Sequence, residues 1–171
     1  EGTQPSFATG RPFFFTIGQI RRKKNFHLLV DVMRHFPEYD LYICGDAHFA
    51  CAEEVRNLIR EKQVTKVFLT DVITQSEKIW LYRNCEAFLF PSEGEGFGLP
   101  VVEAMQFGKA VFAANRTSLP EVCNGHAIMW EHLDTEWFFV KFGGTSSIVN
   151  KESWLSVVYF LPYCTSAFLA L

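Results

Sequence analysis

Six short apolar runs of strand type alternate with segments of helical periodicity along this chain, and few architectures accept that rhythm. The runs occupy residues 12–20, 41–44, 67–69, 87–90, 110–113 and 127–130. Between the first two, residues 25–36 carry Phe26, Leu29, Val30 and Met33 on one helical stripe, closed by Pro37. Residues 52–62 turn Val55, Leu58 and Ile59 to a common face. Ser76 reads as the cap of a helix reaching about Cys85, another helix starts at Leu99, and residues 118–122 make a short helical turn. Strands that read as unbroken apolar runs are buried on both faces. Alternation with short connections then predicts an α/β fold: a Rossmann-like parallel sheet of about six strands with helices on both faces. Ligands of such sheets sit at the carboxyl ends of the strands, near the switch in strand order.

A chain of 171 residues, 49% hydrophobic and 20% charged, fits one globular domain with a tail. We divide it into a linker at 1–11, a Rossmann-like domain at 12–142 and an atypical apolar tail at 143–171. A net charge of −3 points to no nucleic-acid partner. The five cysteines (Cys44, Cys51, Cys85, Cys123, Cys164) lack metal spacing and suit reduced, buried thiols of a cytoplasmic protein. No signal-type segment opens the sequence, and a first residue other than Met fits a fragment. In the tail, residues 153–171 carry no charge, which meets the length of a membrane span. Pro162, four Ser/Thr residues and the lack of flanking bases weigh against spanning, and favour docking on this domain or on a partner domain.

The most informative stretch is 91–108, PSEGEGFGLPVVEAMQFG. It joins a strand-type run to a helix whose early Pro100 suits a first turn, through a loop with three glycines. A strand, a glycine-rich loop and a helix start form an anion site, because unpaired N–H groups and the helix dipole both face the loop. Phosphate is the expected guest. Glu103, one turn into the helix, is placed to take a vicinal diol such as a ribose, since a carboxylate accepts two hydroxyl protons. Glu95 lies on the loop, where the group beyond a diphosphate would sit. By themselves, two glutamates near a helix start also suit a plain interaction with the dipole, worth ~0.3–1 kcal/mol.

The full string from Glu95 to Met105 resembles the E-x7-E signature of retaining GT-B glycosyltransferases, in the family (family 4) that includes bacterial mannosyl- and glucosyltransferases. A second string, Gly18-Gln19-Ile20-Arg21-Arg22-Lys23-Lys24-Asn25, sets four cations at a helix start, where they oppose the dipole unless an anion arrives. It is similar to the family's pattern in which an Arg and a Lys grip the donor diphosphate. Lys24 matches the Lys, but Gln19 stands where the family has Arg, so Arg21 or Arg22 would have to compensate. Residues 70–73 match the loop whose backbone reads the base, at Val72. Residues 114–122 resemble the segment after the fifth strand, which a plain turn explains equally well. The likeness covers roughly residues 13–134.

The resemblance implies the donor-binding half of a retaining glycosyltransferase of hexosyltransferase type, taking a nucleoside-diphosphate sugar such as a UDP- or GDP-sugar. Glu95 and Lys24 would be catalytic, with Gly18, Gln19, Lys24, Val72, Phe97, Gly98, Leu99 and Glu103 binding the nucleotide. It further implies a missing N-terminal acceptor-binding domain and peripheral association of the parent with the inner membrane face; no acidic cluster shows metal-ligand spacing, so no metal or cofactor is expected in the donor site. The isolated domain would turn over little. A non-catalytic nucleotide-sugar-binding or assembly module is the alternative, suggested by Gln19 and the tail. The five histidines show no ligand spacing, and no G-x-G-x-x-G follows the first strand, which argues against a nicotinamide enzyme.

Overall fold

In the computed structural model, which describes residues 2–48 and 50–148, the apolar runs become parallel strands. They are β1 (Phe13–Ile17), β2 (Asp40–Cys44), β3 (Val67–Leu69), β4 (Ala87–Phe90), β5 (Ala110–Ala114) and β6 (Ile128–Trp130). Among the described residues they form one sheet in the order β3-β2-β1-β4-β5-β6, so the strand order reverses between β1 and β4. This is the expected Rossmann-like arrangement. The helices are α1 (Phe26–Met33), α2 (Ala50–Glu61), α3 (Gln75–Asn84), α4 (Leu99–Gln106), α5 (Leu119–Cys123) and α6 (Thr135–Ile148), with a 3-10 turn at Arg22–Lys24.

Alternate residues of each strand feed two separate cores. Phe14, Leu41, Ile43, Leu89 and Phe112 pack beneath α1, α2 and α6, whereas Phe13, Phe15, Tyr42, Phe88 and Phe90 pack beneath α3, α4 and α5. Aromatic side chains bring large apolar area and prefer edge-on contacts. Phe14 accordingly meets Phe142 edge-on at 4.9 Å between ring centroids. Three thiols lie in these interiors and are held neutral by burial: Cys44 and Cys85 are pushed up to about 12, Cys123 to about 11.

Several sequence expectations need correction. β1 stops at Ile17 rather than residue 20, because Gly18 turns away after donating its N–H to the Cys44 carbonyl. The cap of α3 is Thr74, not Ser76: Thr74 accepts from the Glu77 N–H and the Glu77 side chain accepts from the Thr74 N–H, a reciprocal capping box. Residues 2–11, read from the sequence as part of a linker, are strapped across the body. Thr3 N–H donates to the Ser76 carbonyl, Phe7 packs on Tyr42, and Thr9 hydroxyl donates to Asp40. Helix α6 was not foreseen; it runs past residue 142 to Ile148 and inserts Phe138 into the core. The rest of the apolar tail, 149–171, lies outside the described residues. Among the described residues no helix is long and apolar enough to cross a membrane.

Candidate functional site

Three loops meet at the carboxyl edge where the strand order switches. The first leaves β1 through Gly18 and Gln19, forms the 3-10 turn, and ends at Asn25, whose φ of 55° lets the chain turn into α1. That turn points Lys24 inward while Gln19, Arg21 and Arg22 stay exposed. A Cβ added at Gly18 would sit 3.6 Å from Lys24 Nζ, so the glycine lies directly against the lysine side chain. Arg21 and Arg22 line a cavity of about 580 Å³ formed with Phe26, Val55, Leu58 and Glu93.

The second loop, between β4 and α4, carries Glu95. Its Oε1 lies 2.5 Å from Lys24 Nζ, and both side chains are only 11% exposed. Ser92, fully buried, donates its hydroxyl to the same carboxylate oxygen. Lys24 Nζ also lies 4.9 Å from the Phe90 ring centroid, a cation–π placement. The third loop, between β5 and α5, fixes the backbone of Glu95: its N–H donates to Thr117 Oγ1 at 3.1 Å and its carbonyl accepts from Ser118 Oγ at 3.2 Å. Glu93 N–H donates to the Lys23 carbonyl at 2.8 Å, tying the first two loops together. Residues from three strand ends therefore hold Glu95: Lys24 and Ser92 at its carboxylate, Thr117 and Ser118 at its backbone.

Gly98 caps α4 at φ 87°, a left-handed conformation that disfavours any side chain, and an added Cβ would lie 2.6 Å from Leu119 Cδ2. The Leu99 N–H begins the helix and has no intrahelical acceptor, as geometry requires of a first turn. Glu103, one turn on, is 36% exposed and is held by α3: Lys78 Nζ lies 2.9 Å from Oε1 and Tyr82 donates its hydroxyl to Oε2 at 2.9 Å. Burial first, and then the charge of Glu103, push the Tyr82 phenol above its ordinary range, so it remains a donor.

The expected residues thus gather in part. Lys24 pairs with Glu95 and lies against Gly18, while Gly98 caps the next helix, which carries Leu99 and Glu103. Phe97 is 54% exposed and Val72 is 74% exposed. At Val72, where the backbone is expected to read a base, the N–H donates to Asp71 Oδ1 at 2.8 Å. Sequence reasoning missed Ser92, Thr117, Ser118, Lys78 and Tyr82. Thr117 and Ser118 left a trace within a segment that read equally well as a turn, and Ser92 lay unremarked in the 91–108 stretch.

One constellation was not expected at all. Asp46, His48 and Asp71 gather at the ends of β2 and β3 with their ligand atoms within 4.8 Å of one another. His48 Nδ1 and Asp46 Oδ1 are 2.7 Å apart. That hydrogen bond, with Asp71 nearby, raises the His48 pKa. The His48 N–H foremost, and then its ring, lower that of Asp46.

A family model for glycosyl transferases group 1 matches residues 3–129. The chain belongs to this family. Among curated relatives, the serotype-specific mannosyltransferase WbdA of Escherichia coli is 30% identical over 131 residues, which is 72% of this chain and 16% of that protein. The sulfoquinovosyl transferase SQD2 of Arabidopsis thaliana is 31% identical over 112 residues, 66% of this chain and 21% of that protein. The chain thus spans about a sixth to a fifth of these relatives. The fold matches Anabaena HepE, solved in complex with UDP-glucose, with a TM-score of 0.75 at 18% identity over 87% of this chain and 42% of that one. A glycosyltransferase from Rickettsia africae gives a TM-score of 0.75 at 20% identity, over 89% and 44%.

Proposed function

We propose that this family member is the donor-binding half of a retaining glycosyltransferase, taking a nucleoside-diphosphate sugar and passing the sugar to an acceptor hydroxyl. The observation that carries the reading is the convergence of Lys24, Glu95 and the Gly98–Leu99 helix start at the switch in strand order. Family membership, and a structural neighbour that holds UDP-glucose, support it.

In this reading the diphosphate lies between Gly18–Lys24 and the start of α4. As the bond to the sugar breaks, negative charge grows on the leaving diphosphate, and fixed positive charge and N–H dipoles aimed there lower the barrier. Lys24 brings the charge. The Gly98 and Leu99 N–H groups bring dipoles, and Pro100 brings none. Glu103 takes the ribose hydroxyls, with Lys78 and Tyr82 keeping its carboxylate in place. Glu95 takes a hydroxyl of the sugar and faces the positive charge that develops on its ring. Phe97 and Val72, both exposed, give apolar surface on the nucleotide's path, and Gln19 offers a hydrogen bond without charge where the family places Arg. No divalent ion is assigned to the donor site. The acceptor is held by a second, N-terminal domain of a longer parent, at the inner face of the membrane.

A calorimetric screen of UDP, GDP and ADP with their sugars tests this reading. One nucleotide series should bind, and its affinity should fall with Lys24→Ala and with Glu103→Ala. No binding by any of the three series would reject the donor site.

A further inference from the structure

The same carboxylate that should face the sugar already occupies the ammonium that should face the diphosphate. Glu95 Oε1 lies 2.5 Å from Lys24 Nζ, with both side chains almost fully enclosed. The position of Glu95 is set independently of Lys24, by Ser92 on its carboxylate and by Thr117 and Ser118 on its backbone. Lys24 is confined as well, by the Phe90 ring and by Gly18. An ammonium has three protons, so geometry alone would let Glu95 and a phosphate share it. Charge does not permit the same economy. A closely paired Lys–Glu unit is neutral, and in a poorly solvated pocket its field at a third group is much weaker than that of a free cation.

We propose that Glu95 is a specificity-determining competitor for Lys24, which makes the site favour a sugar-bearing nucleotide over the bare nucleoside diphosphate. The inference rests on the donor-site reading above. A nucleoside diphosphate entering alone must draw Lys24 away from Glu95 and leaves that carboxylate enclosed beside its own negative charge. A nucleotide sugar meets the same lysine, but its hydroxyls donate to Glu95 and replace the lost ammonium. After transfer the sugar is gone, Glu95 recaptures Lys24, and the diphosphate product loses its grip. One ion pair therefore selects the substrate and helps to release the product.

The test is the affinity of the chain for a nucleoside diphosphate and for its sugar conjugate, by calorimetry, in a double-mutant cycle. Glu95→Gln keeps the shape and removes the charge. It should tighten the bare diphosphate by about tenfold, equivalent to ~1.4 kcal/mol, and shrink the preference for the sugar conjugate. The gain should be larger with Lys24 present than in a Lys24→Ala background. Unchanged or weaker diphosphate binding in Glu95→Gln would overturn the proposal. So would equal gains in both backgrounds, which would reveal a general negative field rather than competition for one ammonium. If the wild-type chain binds neither ligand, the donor-site reading fails first and takes this inference with it.

Discussion

The two glutamates of the loop-and-helix stretch are eight residues apart, yet they are held in opposite ways. Glu95 sits on a loop, is 11% exposed, and is fixed by side chains from the ends of three strands. Glu103 sits on a helix, is 36% exposed, and is fixed by a single neighbouring helix through Lys78 and Tyr82. A loop residue has no local scaffold, so its precision must come from long-range hydrogen bonds. A helical residue inherits its direction from the backbone and needs only its rotamer held. The Glu95 side should therefore respond to changes in any of three loops, and the Glu103 side only to changes in α3 and α4.

The strongest way to break that contrast is at Gly98, the hinge between the two. Gly98→Ala forces a side chain into a left-handed conformation, ~1–2 kcal/mol, and presses on buried Leu119, ~1–3 kcal/mol. We expect a loss of about 2–5 kcal/mol in urea unfolding; a loss below 1 kcal/mol would mean that α5 yields freely.

Glu103→Ala comes next. It should weaken a nucleoside diphosphate by ~1.5–3 kcal/mol, as for a lost charge-assisted hydrogen bond. A 2′,3′-dideoxy analogue should bind the mutant about as well as it binds the wild type. A penalty that persists with the dideoxy ligand would make Glu103 a support for the fold.

Tyr82→Phe sharpens the same point. It removes the hydroxyl that reaches Glu103 Oε2 at 2.9 Å and the Pro100 carbonyl at 3.1 Å. The expected loss is ~0.5–1.5 kcal/mol in stability, with weaker nucleotide binding and unaltered discrimination between bare and sugar-bearing nucleotides. A change in that discrimination would couple the two glutamates.

The smallest effect lies at the rim, where Asp46 raises His48. The His48 ring should titrate above its ordinary value near 6.5, and Asp46→Asn should bring the midpoint down in an NMR titration. Because the folded value is raised, the stability contributed by His48 is complete below the unfolded pKa and is lost as pH rises through the folded one. For Asp46, whose value is lowered, the contribution is complete above its unfolded pKa and is lost as pH falls through the folded one. An unshifted His48 would show that the pair is open in solution.

The sheet was legible because each strand is a local apolar run bounded by Gly, Pro or a charged turn, and the order of such runs leaves little freedom of topology. The anchors of Glu95 were not legible. Ser92, Thr117 and Ser118 act through contacts spanning up to 23 residues, and a serine in a loop has no periodicity to betray it. Lys78 and Tyr82 reach Glu103 across 25 and 21 residues, a contact that no helical periodicity marks. The Asp46, His48 and Asp71 group joins two loops that only the pairing of β2 with β3 brings together. The Thr74 cap was readable in principle, since Thr74-Gln75-Ser76-Glu77 has the spacing of a capping box, but Ser76 offered a competing start. Gln19 was plain in the sequence, and the structure adds that it is exposed above an inward-facing Lys24.

The most direct test of the donor site compares nucleoside diphosphate with the corresponding monophosphate on the wild-type chain and on Lys24→Ala, by calorimetry at two ionic strengths. If Lys24 grips the outer phosphate, the mutant should lose more affinity for the diphosphate than for the monophosphate, by less than the ~1.5–3 kcal/mol of an uncontested charge-assisted contact because Glu95 competes for the ammonium, and the difference should narrow as salt rises. Equal losses for the two ligands, or no loss for either, would contradict a diphosphate held between Lys24 and the start of α4.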